Sequence, residues 1–550
     1  MLSSILTYIG ILLSVLAVLG AVTYVLLKNW AEGAYAALKE KNAAISQCDI
    51  DAFVMGMGRS SSSSDNPQNP PDKIKVCLVN KLRIGSRSAS TKPIPLECTP
   101  STHVKGLWVS RAVKAGATDS PTPLADLLPR ITSEGLIDPK DKKKTLVVAT
   151  IRMGFGHHRL AYSACSWALE QGYNTIFHDL INIESEESKL IGSADTIYSK
   201  MSRLSSELGG PVEYLWGKAM KQGDANGLRI AALEAAHLLP LLLSYPKDIP
   251  LITTHQLVAL TAAAAGFTNV VNLVVDNYPQ WFLVVPKTLN LTQGPVNYQS
   301  FLKMGVPPDQ LALAGHWCPT GLVQNLEKDC QARIARAKAT PLKARRLLIP
   351  VGGAGAQKKF IVGFLETISD MVKKGQVQLF LNAGDHPHMK TAFIEVLTKC
   401  GLDYDTVTTT QGVYDFQEAL LKGGEPNKAV TLFAFDEYFP AVATTDLLGR
   451  VADVLTCKPS ELAFYPLPKL HIRRVGDHEA DSARRAAELG EGTMEARELS
   501  DALEYMNLFL TTPDLLVSMN EQVLQANKIG LYDGCKNAVK WAMEGNKKTK

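Results

Sequence analysis

Twice along this chain an apolar run breaks into a glycine-rich turn and continues as an amphipathic helical pattern. The first run is Thr145–Ile151, followed by Gly154, Phe155 and Gly156; the second is Leu347–Val351, followed by Gly352, Gly353, Ala354 and Gly355. A strand handed to a helix through such a turn opens a parallel α/β unit. After each opening, short apolar runs alternate with amphipathic stretches, as in a parallel sheet covered by helices. In the first series strands are expected at Thr145–Ile151, Thr175–Phe177, Leu251–Thr253, Val270–Val275, Trp281–Val285 and Leu311–Ala314. A polar, basic segment (Glu327–Arg346) precedes the second series, which starts at "RRLLIPVGGAGAQ". The chain therefore reads as α/β, with two Rossmann-like domains facing a cleft, 141–335 and 336–550.

The N-terminus follows other rules. Ile5–Leu27 contains 23 residues and no charge, long enough as a helix to span a hydrocarbon core of roughly 30 Å. No Lys or Arg precedes it, unlike a cleaved signal peptide. Lys28, Lys39 and Lys41 follow it, so the positive-inside bias places the globular part in the cytoplasm. The expectation is a single N-terminal transmembrane helix (1–28) making a single-pass membrane protein; a targeting segment is the alternative. Residues 29–140 read as a linker with a small accessory region. Part of it is expected to be disordered, because "RSSSSSDNPQNPPDK" (Arg59–Lys73) has little to bury.

Composition excludes some classes. A net charge of +4 over 550 residues is too small to argue for nucleic-acid binding. Nine scattered cysteines without a C-x-x-C pair read as reduced, mostly buried thiols, not as a disulfide framework or zinc site. No metal site and no cofactor are expected. His386 and His388 lack a nearby third ligand and read as a solvated turn.

Both glycine-rich turns would present backbone N–H groups at a helix N-terminus, suited to a phosphate or a developing anion. Neither is a dinucleotide fingerprint or a P-loop. Beside the first lie His157, His158 and Arg159. Asp276 and His255 end apolar strands, where α/β proteins place ligand contacts.

In order along about 145–510, "MGFGHHRLAYSA", "ITTHQLVAL", "LVVDNYPQWF", "GVPPDQLALAGHWCP", "LLIPVGGAGAQ", "LFLNAGD" and "VTLFAFDEYFPAVATTDLLGRVADVLTCKPSEL" resemble segments of a glycosyltransferase family. It is the two-domain GT-B-fold group that includes monogalactosyldiacylglycerol synthase, diacylglycerol glucosyltransferases and the N-acetylglucosaminyltransferase of the peptidoglycan lipid cycle. The resemblance implies hexosyl or N-acetylhexosaminyl transfer from a nucleotide sugar, UDP-linked as the first expectation, to an acceptor. With the N-terminal segment, the expected acceptor is a membrane lipid. It implies His157 and Asp276 as catalytic residues, with Gly154, Gly156, His158, Arg159 and His255 on the acceptor-side loop. It implies a donor site of Gly352, Gly353, Ala354 and Gly355 on the diphosphate, Phe433 to Phe435 along the base, and Ser460 and Glu461 at the ribose. Arg473, Arg474, His478 and Glu479 would lie near the donor sugar and diphosphate, in a stretch that departs from the family pattern. That departure keeps two alternatives open: a non-catalytic nucleotide-sugar-binding or interaction protein on the same fold, and a nucleotide-sugar epimerase. Nothing in the sequence specifies an oligomeric state.

Overall fold

The computed structural model describes residues 92–113 and 145–545 apart from 209, 213, 215–224 and 353–354, with a few residues elsewhere (22, 25, 26, 29, 122–123, 131–132 and 135–136). Most of the expected membrane segment and the Ser/Pro/Asn linker lie outside the described residues. Among the described residues no helix is long and apolar enough to cross a membrane. The seven described cysteines are all free, and six are buried.

The chain forms two sheets. In chain order the strands of the first region are β1 (Leu96–Pro100), β2 (Leu107–Ala112), β3 (Thr122–Pro123), an isolated pair β4 (Ile131–Thr132) and β5 (Gly135–Leu136), then β6 (Thr145–Thr150), β7 (Asn174–Asp179), β8 (Leu251–Thr253), β9 (Val270–Leu273), β10 (Leu289–Thr292) and β11 (Leu311–Leu313). Nine of them make one sheet in the order β11-β10-β9-β8-β6-β7-β2-β1-β3. From β11 to β2 every pairing is parallel; β1 joins antiparallel to β2 and to β3. The second sheet contains β12 (Arg345–Pro350), β13 (Val377–Gly384), β14 (Tyr404–Val407), β15 (Val430–Ala434), β16 (Val454–Cys457) and β17 (Lys469–His471). Its order is β14-β15-β13-β12-β16-β17, parallel throughout.

The central strands β6 and β12 are buried at every position. That is why they read as continuous apolar runs and not as alternations: helices cover both faces of a parallel sheet. Each buried Val or Leu there contributes about 1.5–3 kcal/mol of hydrophobic stabilisation.

Three expectations are corrected. Trp281–Val285 is not a strand; Trp281–Leu283 forms a 3-10 turn, and the neighbouring strand is β10, "LNLT". The sequence hides β10 because Asn290 sits at its centre. That amide is satisfied internally, donating to Val285 O and Gln310 O and accepting from Val285 N. Within the expected accessory region, the described stretch 92–113 is not separate, since β1 and β2 extend the first sheet. Within the polar segment Glu327–Arg346 the chain is helical, Leu326–Lys338. The C-terminal tail does not stay with the second domain: the helix Gly534–Glu544 returns to the first, where Cys535, Ala538, Val539 and Ala542 share a core with Ala164 and Trp167. Their i, i+3, i+4, i+7 spacing is an apolar stripe, but spacing alone does not say which sheet the stripe will cover.

Candidate active site

In each sheet the central strand has its next strand on one side and a later strand on the other. In the first sheet β6 lies between β7 and β8; in the second β12 lies between β13 and β16. The crevice beyond the carboxyl ends of strands at such a switch point is where open α/β sheets bind ligands. Here both crevices open on one cleft. It encloses about 310 Å³ and is lined from the first domain by residues 153–157, His255 and Asp276, and from the second by Gly352, Ala356, Gln357, Lys458, Ser460, Glu461, His478 and Glu479.

On the first wall, β6 hands over at Gly154, whose φ of 72° suits glycine, to the helix Gly156–Glu170. His157 lies in its first turn, with Nδ1 2.5 Å from Thr254 O. A carbonyl only accepts, so Nδ1 carries the proton and Nε2 of the neutral ring keeps its lone pair. Burial holds the imidazole below its ordinary value, against the opposing pull of the Thr254 carbonyl, Asp276 and Glu461. The ring packs at 4.4 Å against His255. His255 caps the next helix, Nδ1 accepting from Leu257 N at 3.2 Å; burial, then His157, push it well below the usual range. His157 is thus a neutral base next to a neutral histidine.

On the second wall, the turn after β12 leads to Gln357, at φ 74°, and the helix Lys358–Lys373. The Lys458 stem lies against Gly352, where an added Cβ would meet Cε at 3.2 Å. Its ammonium pairs with Glu479. Burial acts to raise the Glu479 carboxyl, but Lys458, His478 and the Val475 N–H outweigh it and hold it below the usual range. Across the cleft, His478 Nε2 is 3.9 Å from Asp276 Oδ1.

Ten of the residues singled out from sequence line this cleft: Gly154, Gly156, His157, His255, Asp276, Gly352, Ser460, Glu461, His478 and Glu479. Gly353 and Ala354 lie outside the described residues. Others are placed elsewhere. His158 is buried beneath the wall with Nε2 3.0 Å from Asp179 Oδ2. Arg159 crosses into the second domain and lies 3.4 Å from both Asp446 and Glu461. Phe433 and Phe435 are core residues: Phe433 lies in β15, which is buried at every position, and Phe435 directly follows it. Arg473 gives its carbonyl to Gln357 Nε2, and Arg474 is held by Glu495 and Asp477; neither lines the cleft. Gly355 lies behind the lining, under His388.

Not singled out from the sequence are Lys458 and Gln357 on the second wall, and Ser202 and Gln280, whose buried side-chain oxygens have no hydrogen-bond partner. Lys458 was findable, since it directly follows β16 at the switch point. Ser202 lies mid-helix and carries no sequence signal. Among the described residues no group of three or more His, Cys, Asp or Glu is placed to hold a metal ion.

Comparison with known proteins gives little function. Residues 118–303 match a family model described as "Domain of unknown function (DUF6937)", and residues 306–543 one described as "Domain of unknown function (DUF6938)". No curated protein matches. Among solved structures, S. aureus MnaA in a co-structure with UDP is similar at 10% identity and TM-score 0.39, over 72% of this chain and 97% of that one. WaaG, a glycosyltransferase involved in lipopolysaccharide biosynthesis, is similar at 12% and 0.36, over 72% and 100%. A UDP-N-acetylglucosamine 2-epimerase is similar at 12% and 0.40, over 72% and 94%. Likeness at these TM-scores carries no function to this chain.

Proposed function

We propose that this chain is a GT-B-type glycosyltransferase that moves a sugar from a nucleotide-sugar donor to an acceptor hydroxyl held in the same cleft. One observation carries the reading. The two switch points share a single cleft, with a proton-accepting His157 on one wall and a lysine beside a glycine-rich helix start on the other.

The chemistry follows from that opposition. An acceptor hydroxyl between the walls gives its proton to His157 Nε2 as its oxygen attacks the anomeric carbon. The bond from that carbon to the diphosphate breaks, and the diphosphate leaves with the electron pair. N–H groups at the start of Lys358–Lys373 and the Lys458 ammonium meet the charge that develops. Asp276, whose charge acts on His157, stabilises the imidazolium. The sequence resemblance supports UDP as the nucleotide. The uncharged stretch Ile5–Leu27 supports a single-pass protein with a cytoplasmic globular part and a lipid acceptor, since tethering raises effective concentration.

A second reading, nucleotide-sugar binding without turnover, is favoured by one observation: Glu461, the expected ribose contact, already faces Arg159.

Thermal shift of the detergent-solubilised full chain against UDP-, GDP-, TDP-, ADP- and CDP-linked sugars tests the donor site. A saturable rise with the UDP class is expected, and no rise with any nucleotide would overturn the proposal.

A further inference from the structure

The segment Asp385–His388 follows β13, and its two histidines reach the glycine-rich turn after β12. His386 Nε2 lies 3.2 Å from Gly352 O, and His388 Nε2 lies 3.0 Å from Gly355 O. Both acceptors are carbonyls, so both Nε2 atoms carry protons. The turn also closes on itself, Gly355 N donating to Gly352 O at 2.8 Å. Gly355 is at φ +61°, and a Cβ there would meet His388 Cε1 at 2.5 Å; the ring occupies the space a side chain would need.

We infer that His386 and His388 are positioning residues that set the anion-binding face of this turn. In a trans peptide the carbonyl and the following N–H point in opposite directions. Holding the Gly355 carbonyl against His388, away from the cleft lining, therefore aims the Ala356 N–H the other way. Ala356 lines the cleft and His388 does not. The same segment meets the opposite domain: Arg152 Nη2 donates to Asp385 Oδ2 at 2.9 Å, and Phe155 packs on His386 with centroids 5.4 Å apart. The turn is thus buttressed by a segment that the loop carrying Phe155 presses from the other side. This inference rests on the proposed function, because it takes the turn to hold a diphosphate.

Calorimetric titration of the full chain with UDP and with inorganic pyrophosphate tests it, using His386→Leu, His388→Leu, His386→Gln and His388→Gln. Glutamine presents an N–H near the position of Nε2 and leucine presents none. Each leucine variant is expected to weaken both ligands about tenfold, as for loss of a buried hydrogen bond that orders a site. The glutamine variants should stay within about threefold of wild type, with melting temperatures matching their leucine counterparts. Leucine variants that bind like wild type would overturn the inference and leave the donor reading intact. Glutamine variants that fail like leucine would also overturn it, pointing to packing alone. A wild type that binds neither ligand removes this inference and the proposed function together.

Discussion

Arg159 grows from a helix of the first domain but is buried in the second, its Nε 3.4 Å from Glu461 Oε1. Its Nη1 donates to Val442 O at 3.1 Å and Nη2 to Thr445 Oγ1 at 3.2 Å. Glu461 in turn lies at the start of Arg159's own helix, where a Cβ on Gly156 would meet Oε2 at 3.3 Å. A carboxylate at a helix N-terminus is favoured by the helix dipole. The pair therefore pins the floor of the cleft, and His157 is fixed two residues from the pin.

Breaking the pin should cost stability more than chemistry. Arg159→Met leaves the half-buried Glu461 and Asp446 without their buried cation, and removing one partner of such a pair costs up to about 3 kcal/mol. Urea unfolding should show a clearly lowered midpoint. Arg159→Lys should recover little, since one ammonium cannot reach the carbonyl, the hydroxyl and two carboxylates together. A midpoint unchanged in Arg159→Met would contradict the geometry.

His157→Ala removes the proposed base. Turnover should fall by about 10²–10⁴-fold, with nucleotide-sugar affinity within about threefold of wild type, since His157 stands on the wall opposite the proposed diphosphate site. Because burial holds His157 below its ordinary value, the acid limb of the wild-type pH–rate profile should lie below the usual histidine range near 6.5. Equal loss of affinity and turnover would assign the residue to binding.

Acid should weaken the fold through buried histidines. Burial lowers His178 and His471 to about 4, whereas in the unfolded chain they titrate near 6.5. Between these values the unfolded state binds more protons, so stability falls as pH drops from about 6.5 to about 4. Carboxyls such as Glu234, which desolvation raises to about 7, act in the opposite sense, so a variant isolates the histidine. His471 Nδ1 lies 2.8 Å from Thr493 O, and His471→Asn retains an N–H donor for that carbonyl. Its unfolding midpoint should depend less steeply on pH over this window than that of wild type; parallel curves would refute the assignment.

The returning C-terminal helix depends on a close approach. A Cβ on Gly534 would lie 2.4 Å from both Gly315 O and His316 O, backbone atoms that cannot swing aside. Gly534→Val should therefore destabilise by at least about 2 kcal/mol. Limited proteolysis should then release the last helix early; protection equal to wild type would mean that the seam tolerates a side chain.

Sequence pattern disclosed the central strands and both glycine-rich turns because a parallel strand buried on both faces leaves an unbroken apolar run. His157 was legible through its place after Gly154-Phe155-Gly156 at a strand end. Arg159, two residues on, was not, because helical periodicity does not reveal that the facing surface belongs to another domain. Phe435 was misassigned for a related reason: an aromatic at the end of a strand reads the same whether it faces a ligand or a core. His386 and His388 looked like a solvated turn because nothing local shows that loops after adjacent parallel strands are neighbours. Once β12 and β13 are paired, that proximity follows.

The central claim is transfer, and the most direct measurement is nucleoside-diphosphate release from nucleotide sugars by the full chain in lipid vesicles, compared with its His157→Ala variant. Wild type is expected to release the diphosphate only with added acceptor, and the variant to lose that release while still binding the donor. Saturable donor binding without release from any nucleotide sugar and acceptor, or equal release by both proteins, would contradict it.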